Sequence, residues 1–170
     1  MLGSPLHENH LLKYTVDILD QPMNKSEKTA LVSFFDENNK RVGSHKFAVI
    51  SKDEIYSWID NGENINLTGA YIKDFSLTEY RTNKGYEDHI AIKLVDFKAR
   101  KAFFDCDTST DFSQAEFLGD KTSFESAIFG NGYVNFLNAN FGNGEVSFRK
   151  AKFGSGSCSF RSVRFGEGHI

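Results

Sequence analysis

The chain has 170 residues, 39% apolar and 25% charged, with a formal net charge of −3. That balance belongs to a folded domain, not to a disordered or fibrous chain, and it leaves no global basic surface for nucleic acid. No apolar run approaches the roughly 20 residues of a membrane span, the first eight residues lack the basic head and apolar core of a secretory signal, and two cysteines cannot make a disulfide framework.

A cytoplasmic chain without membrane contact is therefore expected. The 17 Phe and 14 Gly against 2 Pro point to an internal repeat.

Residues 1–10 read as a flexible tail, and residues 11–64 as a small α+β cap. Lys13 to Ile18 alternates polar and apolar side chains, the period of a strand. Ala30 to Phe35 and Lys46 to Ile50 read as two more strands around the turn-rich segment Asp36 to Lys40. A helix then starts at Ser51, an N-cap with Glu54 three residues on, and Ile50 is placed to staple Ile55. Ile55, Trp58 and Ile59 share one apolar face, and Asn61-Gly62 ends the helix. That face is expected to cover the open end of the repeat that follows.

From residue 65 a small or branched residue stands two before a large apolar one. The pairs are Ile65/Leu67, Ala70/Ile72 and Phe75/Leu77. The register lapses between Arg81 and His89 and resumes with Ile90/Ile92, Val95/Phe97 and Ala102/Phe104. Phe then recurs at 112, 117, 124, 129, 136, 141, 148, 153, 160 and 165, with gaps alternating five and seven.

The column two residues before each Phe runs Thr110, Ala115, Thr122, Ala127, Val134, Ala139, Val146, Ala151, Cys158 and Val163. Side chains two apart on an extended chain share a face. Each short strand thus turns one small and one large group inward. From Phe129 on, every longer gap begins Gly-x-Gly, read as a wide corner because glycine tolerates positive φ. One full circuit takes 24 residues, so Phe112 should stack on Phe136 and Phe160. By the same count Phe117 belongs with Phe141 and Phe165, Phe124 with Phe148, and Phe129 with Phe153.

This pattern resembles the pentapeptide-repeat proteins over residues 65–170, with two extra residues in every second unit and Phe in place of the commoner Leu. The resemblance implies a mainly β fold, a right-handed quadrilateral β-helix (a solenoid), in a bacterial protein. Some members of that family resemble the B-DNA duplex and bind DNA gyrase, a topoisomerase.

Chemistry is sparse. None of the five histidines has a metal-ligand spacing to Cys, Asp or Glu, and no Cys-x-x-Cys occurs, so no metal and no cofactor is expected. Cys158 falls in the small-residue column. Cys106, between Asp105 and Asp107, has neighbours that raise its pKa and disfavour a thiolate.

Charge is partitioned instead. Residues 103–125 carry six acids, Asp105, Asp107, Asp111, Glu116, Asp120 and Glu125, with Lys121 alone against them. Residues 149–164 carry Arg149, Lys150, Lys152, Arg161 and Arg164 with no acid. The basic group is the candidate interaction surface, since complementary charge steers and registers partners. The expectation is a non-enzymatic protein-interaction or scaffolding module. The alternatives are a DNA mimic acting on gyrase, or the non-catalytic part of a larger toxin or enzyme. The last segment places Ile170 in the small-residue column with its Phe partner missing, so self-association through the C-terminal coil is expected, as an end-to-end pair or as the cut face of a longer repeat.

Overall fold

The computed structural model describes residues 13–168; the tail expected over residues 1–10, His169 and Ile170 lie outside them. Three antiparallel strands come first, β1 (Lys13–Leu19), β2 (Thr29–Phe35) and β3 (Arg41–Val49). Helix α1 (Lys52–Asn61) follows with the capping box in place: the Ser51 side chain accepts from the Glu54 N–H, and the Glu54 carboxylate accepts from the Ser51 N–H. Gly62, at φ 64°, closes it in the left-handed region.

Ile55 and Tyr56 of α1 are buried in the main core, and Ile50, Trp58 and Ile59 pack against that core. Strands β4 (Asn64–Asn66) and β5 (Ala70–Lys73) come next.

The third expected repeat is not a strand. Helix α2 (Leu77–Lys84) begins where Phe75/Leu77 predicted another extended unit. Ser76 accepts the Glu79 N–H and Gly85 ends the helix at φ 68°, so its capping overrides an inward pair that either structure can satisfy. Leu77, Tyr80 and Arg81 are buried. The Arg81 guanidinium donates to the Ser113 carbonyl at 2.9 Å and to the Ser113 and Thr78 hydroxyls at 2.8 and 3.0 Å. It thereby anchors α2 to a corner of the repeat, and burial lowers its pKa. Tyr80 and Lys84 both donate to Asp60, and Lys52 pairs with Glu79 at 2.7 Å, which ties α2 to α1.

From β4 onward every strand lies in a parallel ladder. Strands β6 (Ile92–Lys98), β7 (Phe103–Asp105), β8 (Ser109–Asp111) and β9 (Ala115–Leu118) precede β10 (Lys121–Ser123), β11 (Ile128–Phe129) and β12 (Tyr133–Asn135). Last come β13 (Glu145–Ser147), β14 (Lys152–Phe153) and β15 (Cys158–Ser159). Ile90, expected to point inward beside Ile92, precedes β6 and is exposed.

The C-terminal registers are offset by 24 residues: Thr122 faces Val146, Phe129 faces Phe153, and Val134 faces both Thr110 and Cys158. A bridge column, Glu116 to Asn140 to Arg164, keeps the same offset. Three sheets run β1-β2-β3-β5-β7-β11-β14, β13-β10-β6-β4 with β9 also on β6, and β15-β12-β8. The fold is mainly β, built from parallel sheets.

The N-terminal strands are joined to the repeat. β3 pairs in parallel with β5, so the antiparallel strands and the repeat share one sheet. A second core of Ala30, Val32, Phe47, Tyr71 and Phe103 forms outside the repeat. Tyr14 of β1 reaches the Phe103 ring at 5.1 Å edge-on, although three strands separate β1 from β7 in the sheet order. The sheet therefore curls back on itself.

Corner chemistry departs from the glycine reading. The tight corners are β-turns closed by bonds such as Ala115 N–H to Phe112 O and Ala139 N–H to Phe136 O. Their third residues take positive φ without being glycine: Gln114, Ser126, Asn138, Lys150 and Ser162, at 55–57°. The preceding polar residue stabilises each turn, as Asp111, Ser123, Asn135, Ser147 and Ser159 accept the N–H two residues on.

In the Gly-x-Gly corners most glycines have ordinary φ. They are small because successive layers touch there: a Cβ on Gly144 would lie 2.5 Å from the Gly119 carbonyl oxygen, and one on Gly156 2.1 Å from that of Gly132.

Candidate interaction surface

All ten Phe lie in the four columns where the 24-residue count puts them. Phe112–Phe136, Phe136–Phe160, Phe117–Phe141, Phe141–Phe165, Phe124–Phe148 and Phe129–Phe153 are stacked pairs with centroids 4.5–5.1 Å apart and planes within 4°. Phe97 and Phe104 extend the interior toward α1, Phe104 stacking on Phe129 at 5.1 Å. Neighbouring columns meet edge to face, as Phe124 does with Phe136 at 89°, so the interior alternates the two favourable aromatic geometries.

The columns are not core throughout. Phe112, Phe117, Phe124, Phe129, Phe136 and Phe141 are buried, and Phe148 is half-buried. Phe153, Phe160 and Phe165, expected as core, are instead exposed by 36%, 41% and 40%. Each stacks on the ring one layer inward and, among the described residues, has no ring one layer outward. Among the described residues, strands β13, β14 and β15 are likewise the outermost members of their sheets, each paired along one edge only. Open edges beside apolar side chains are templates for another chain.

The five basic residues surround this end, and all are exposed. Arg149 is already engaged, with Glu125 one layer inward, and Arg100 approaches the same carboxylate at 3.6 Å. Lys150, Lys152, Arg161 and Arg164 have no ion pair among the described residues. Lys121 and Glu145 repeat the 24-residue rule at 2.7 Å, so two ion pairs, Lys121–Glu145 and Arg149–Glu125, join neighbouring layers.

The acidic group does not form a band. Asp105 and Asp111 are buried. Asp105 accepts from the hydroxyls of Tyr14 and Tyr71, each at 2.5 Å, while Asp111 accepts from the Thr78 and Ser113 N–H groups and from Asn135. Both tyrosine pKa values are raised, by burial first and by the Asp105 hydrogen bond second. Sequence reading missed this clasp because Asp105 looks like one more surface acid.

Cys106 is buried, and burial more than its acidic neighbours raises its pKa. Burial pushes the Cys158 thiol to about 11. Among the described residues no group of His, Cys, Asp or Glu is placed to hold a metal ion, and no helix is long and apolar enough to cross a membrane.

No family model, curated protein or solved structure matches the chain. The surface geometry alone carries the functional argument.

Proposed function

We propose that the repeat is a right-handed four-sided β-helix of the pentapeptide-repeat kind and that the protein is a non-catalytic interaction module whose working surface is its terminal coil. The observation that carries this reading is the exposure of Phe153, Phe160 and Phe165 at the last described layer, bordered by three strand edges that have no partner among the described residues. A second chain placed there continues the stacking and ladder bonds that already hold each coil to the last.

The first occupant is a second copy meeting end to end. The two basic rims repel, so added salt should strengthen the association by screening them. The gyrase-directed alternative draws less support, since Asp105 and Asp111 are buried and Glu125 and Glu145 are paired with cations. A continuous acidic face of the kind a duplex mimic needs is not left over.

Light scattering after gel filtration, as a concentration and salt series, tests the proposal. The expected result is a species heavier than the 19.2 kDa chain, growing with concentration and with salt, and lost in Phe160→Lys while that variant keeps its strand signal in circular dichroism. A monomer at every concentration and salt overturns it.

A further inference from the structure

A second surface lies at the other end of the molecule. A cleft of about 470 Å³ opens between the turn at Asn24 to Ser26, helix α1 and strand β4, within the size range of small-ligand sites. Its apolar floor is Ala48, Ile50 and the ring of Trp58. Trp58 is half-buried because it sits at the margin of the apolar face that α1 turns to the core: one side packs on the core, the other faces the cleft.

The polar lining, Glu54, Glu63, Asn64 and Asn66, is exposed and keeps groups that a ligand can reach. The indole N–H of Trp58 and the whole side-chain amide of Asn64 make no hydrogen bond among the described residues. Asn66 spends its oxygen on the Thr68 N–H and keeps its NH₂ free. Glu63 spends one carboxylate oxygen on Asn61 and Glu54 one on Ser51, which leaves one on each.

We propose that this cleft binds a pyranose sugar. A flat aromatic ring beside free amide and carboxylate groups suits a ligand with an apolar C–H face and a rim of hydroxyls. The amides and carboxylates can donate to and accept from vicinal hydroxyls, and the indole N–H adds a donor at the ring edge. An anion is disfavoured by the two carboxylates. Lys25 at the same cleft offsets only one of the two carboxylates, so the ammonium salt is the control that matters.

Trp58 is the only tryptophan, so tryptophan emission of the full chain reports on this cleft directly. The emission is titrated with glucose, galactose, mannose, N-acetylglucosamine and their β-1,4-linked dimers through the millimolar range. Tetramethylammonium chloride and inorganic phosphate are run alongside. The expected result is a saturable change with at least one sugar. Asn64→Ala should weaken that sugar roughly tenfold, the worth of a hydrogen bond or two, with an unchanged melting temperature. Trp58→Phe, followed by calorimetry, should weaken it as well. The proposal is overturned by no saturable change with any of these sugars, by a response only to the ammonium or phosphate salt, or by a sugar response that both variants leave intact.

Discussion

Phe117 and Phe141, 24 residues apart, stack with centroids 4.5 Å apart and planes 3° apart, the shortest ring spacing in the columns. Phe141 has Phe165 on its other face at 5.1 Å and is itself buried. Removing its ring leaves a cavity between two rings that the ladder bonds hold apart. Phe141→Ala should therefore cost about 3–5 kcal/mol. Asn143, exposed at a corner, accepts the Glu167 N–H at 3.2 Å, and Asn143→Ala should cost about 1 kcal/mol or less. Urea unfolding of both variants checks the contrast; equal losses would mean that the column does not carry the fold.

The glycine corners make a separate prediction. A Cβ on Gly144 meets the Gly119 carbonyl at 2.5 Å and the Asp120 backbone at 3.0 Å, atoms that cannot yield without parting two layers. Gly144→Ala should lose about 1–3 kcal/mol, as overpacking does. Gly43, in β3, has nothing within 4 Å of its Cβ position and no positive φ. Gly43→Ala should be neutral or stabilising by about 0.5 kcal/mol, since alanine loses less chain entropy in a strand. Melting temperatures of the pair decide it, and a Gly144→Ala protein as stable as the parent counts against contact between layers.

How much of this was legible depends on periodicity. The Phe columns were readable because a 5/7 alternation fixes which residues return to the same wall, whatever the corner geometry. The function of each corner residue was not: a Gly-x-Gly read for its φ turns out to be set by distance to a residue 24 or 25 positions earlier, which no local pattern encodes. Helix α2 was hidden because Phe75 and Leu77 satisfy the inward pair of a strand, and only Ser76, Glu79 and Gly85 betray the capped helix. The Tyr14–Asp105–Tyr71 clasp joins residues up to 91 apart in sequence. It follows from the curl of the N-terminal sheet, which no local pattern in residues 13–49 encodes. The basic residues were legible as a group, but Arg149 proved to be committed to Glu125.

The clasp predicts how stability responds to alkali. Tyr14 and Tyr71 have pKa values raised above the ordinary 10.0 by burial and by the Asp105 carboxylate between them. Above about pH 10 the unfolded chain gives up phenol protons that the folded chain keeps, so the folded state binds more protons and stability falls as pH rises. Below the unfolded value both states are protonated and the stabilisation is complete. Tyr56 and Tyr80, also raised, contribute to the same slope. In Tyr14→Phe/Tyr71→Phe the slope between about pH 9 and about pH 11 should flatten without vanishing. At neutral pH the double variant should lose about 1–3 kcal/mol, because Asp105 is left buried with Lys73, 3.9 Å away, as its nearest cation. Denaturant unfolding across that range measures both effects. A parent protein whose stability is flat across it, or a double variant with the parent's slope, would show that the two hydroxyls do not hold their protons against the buried carboxylate.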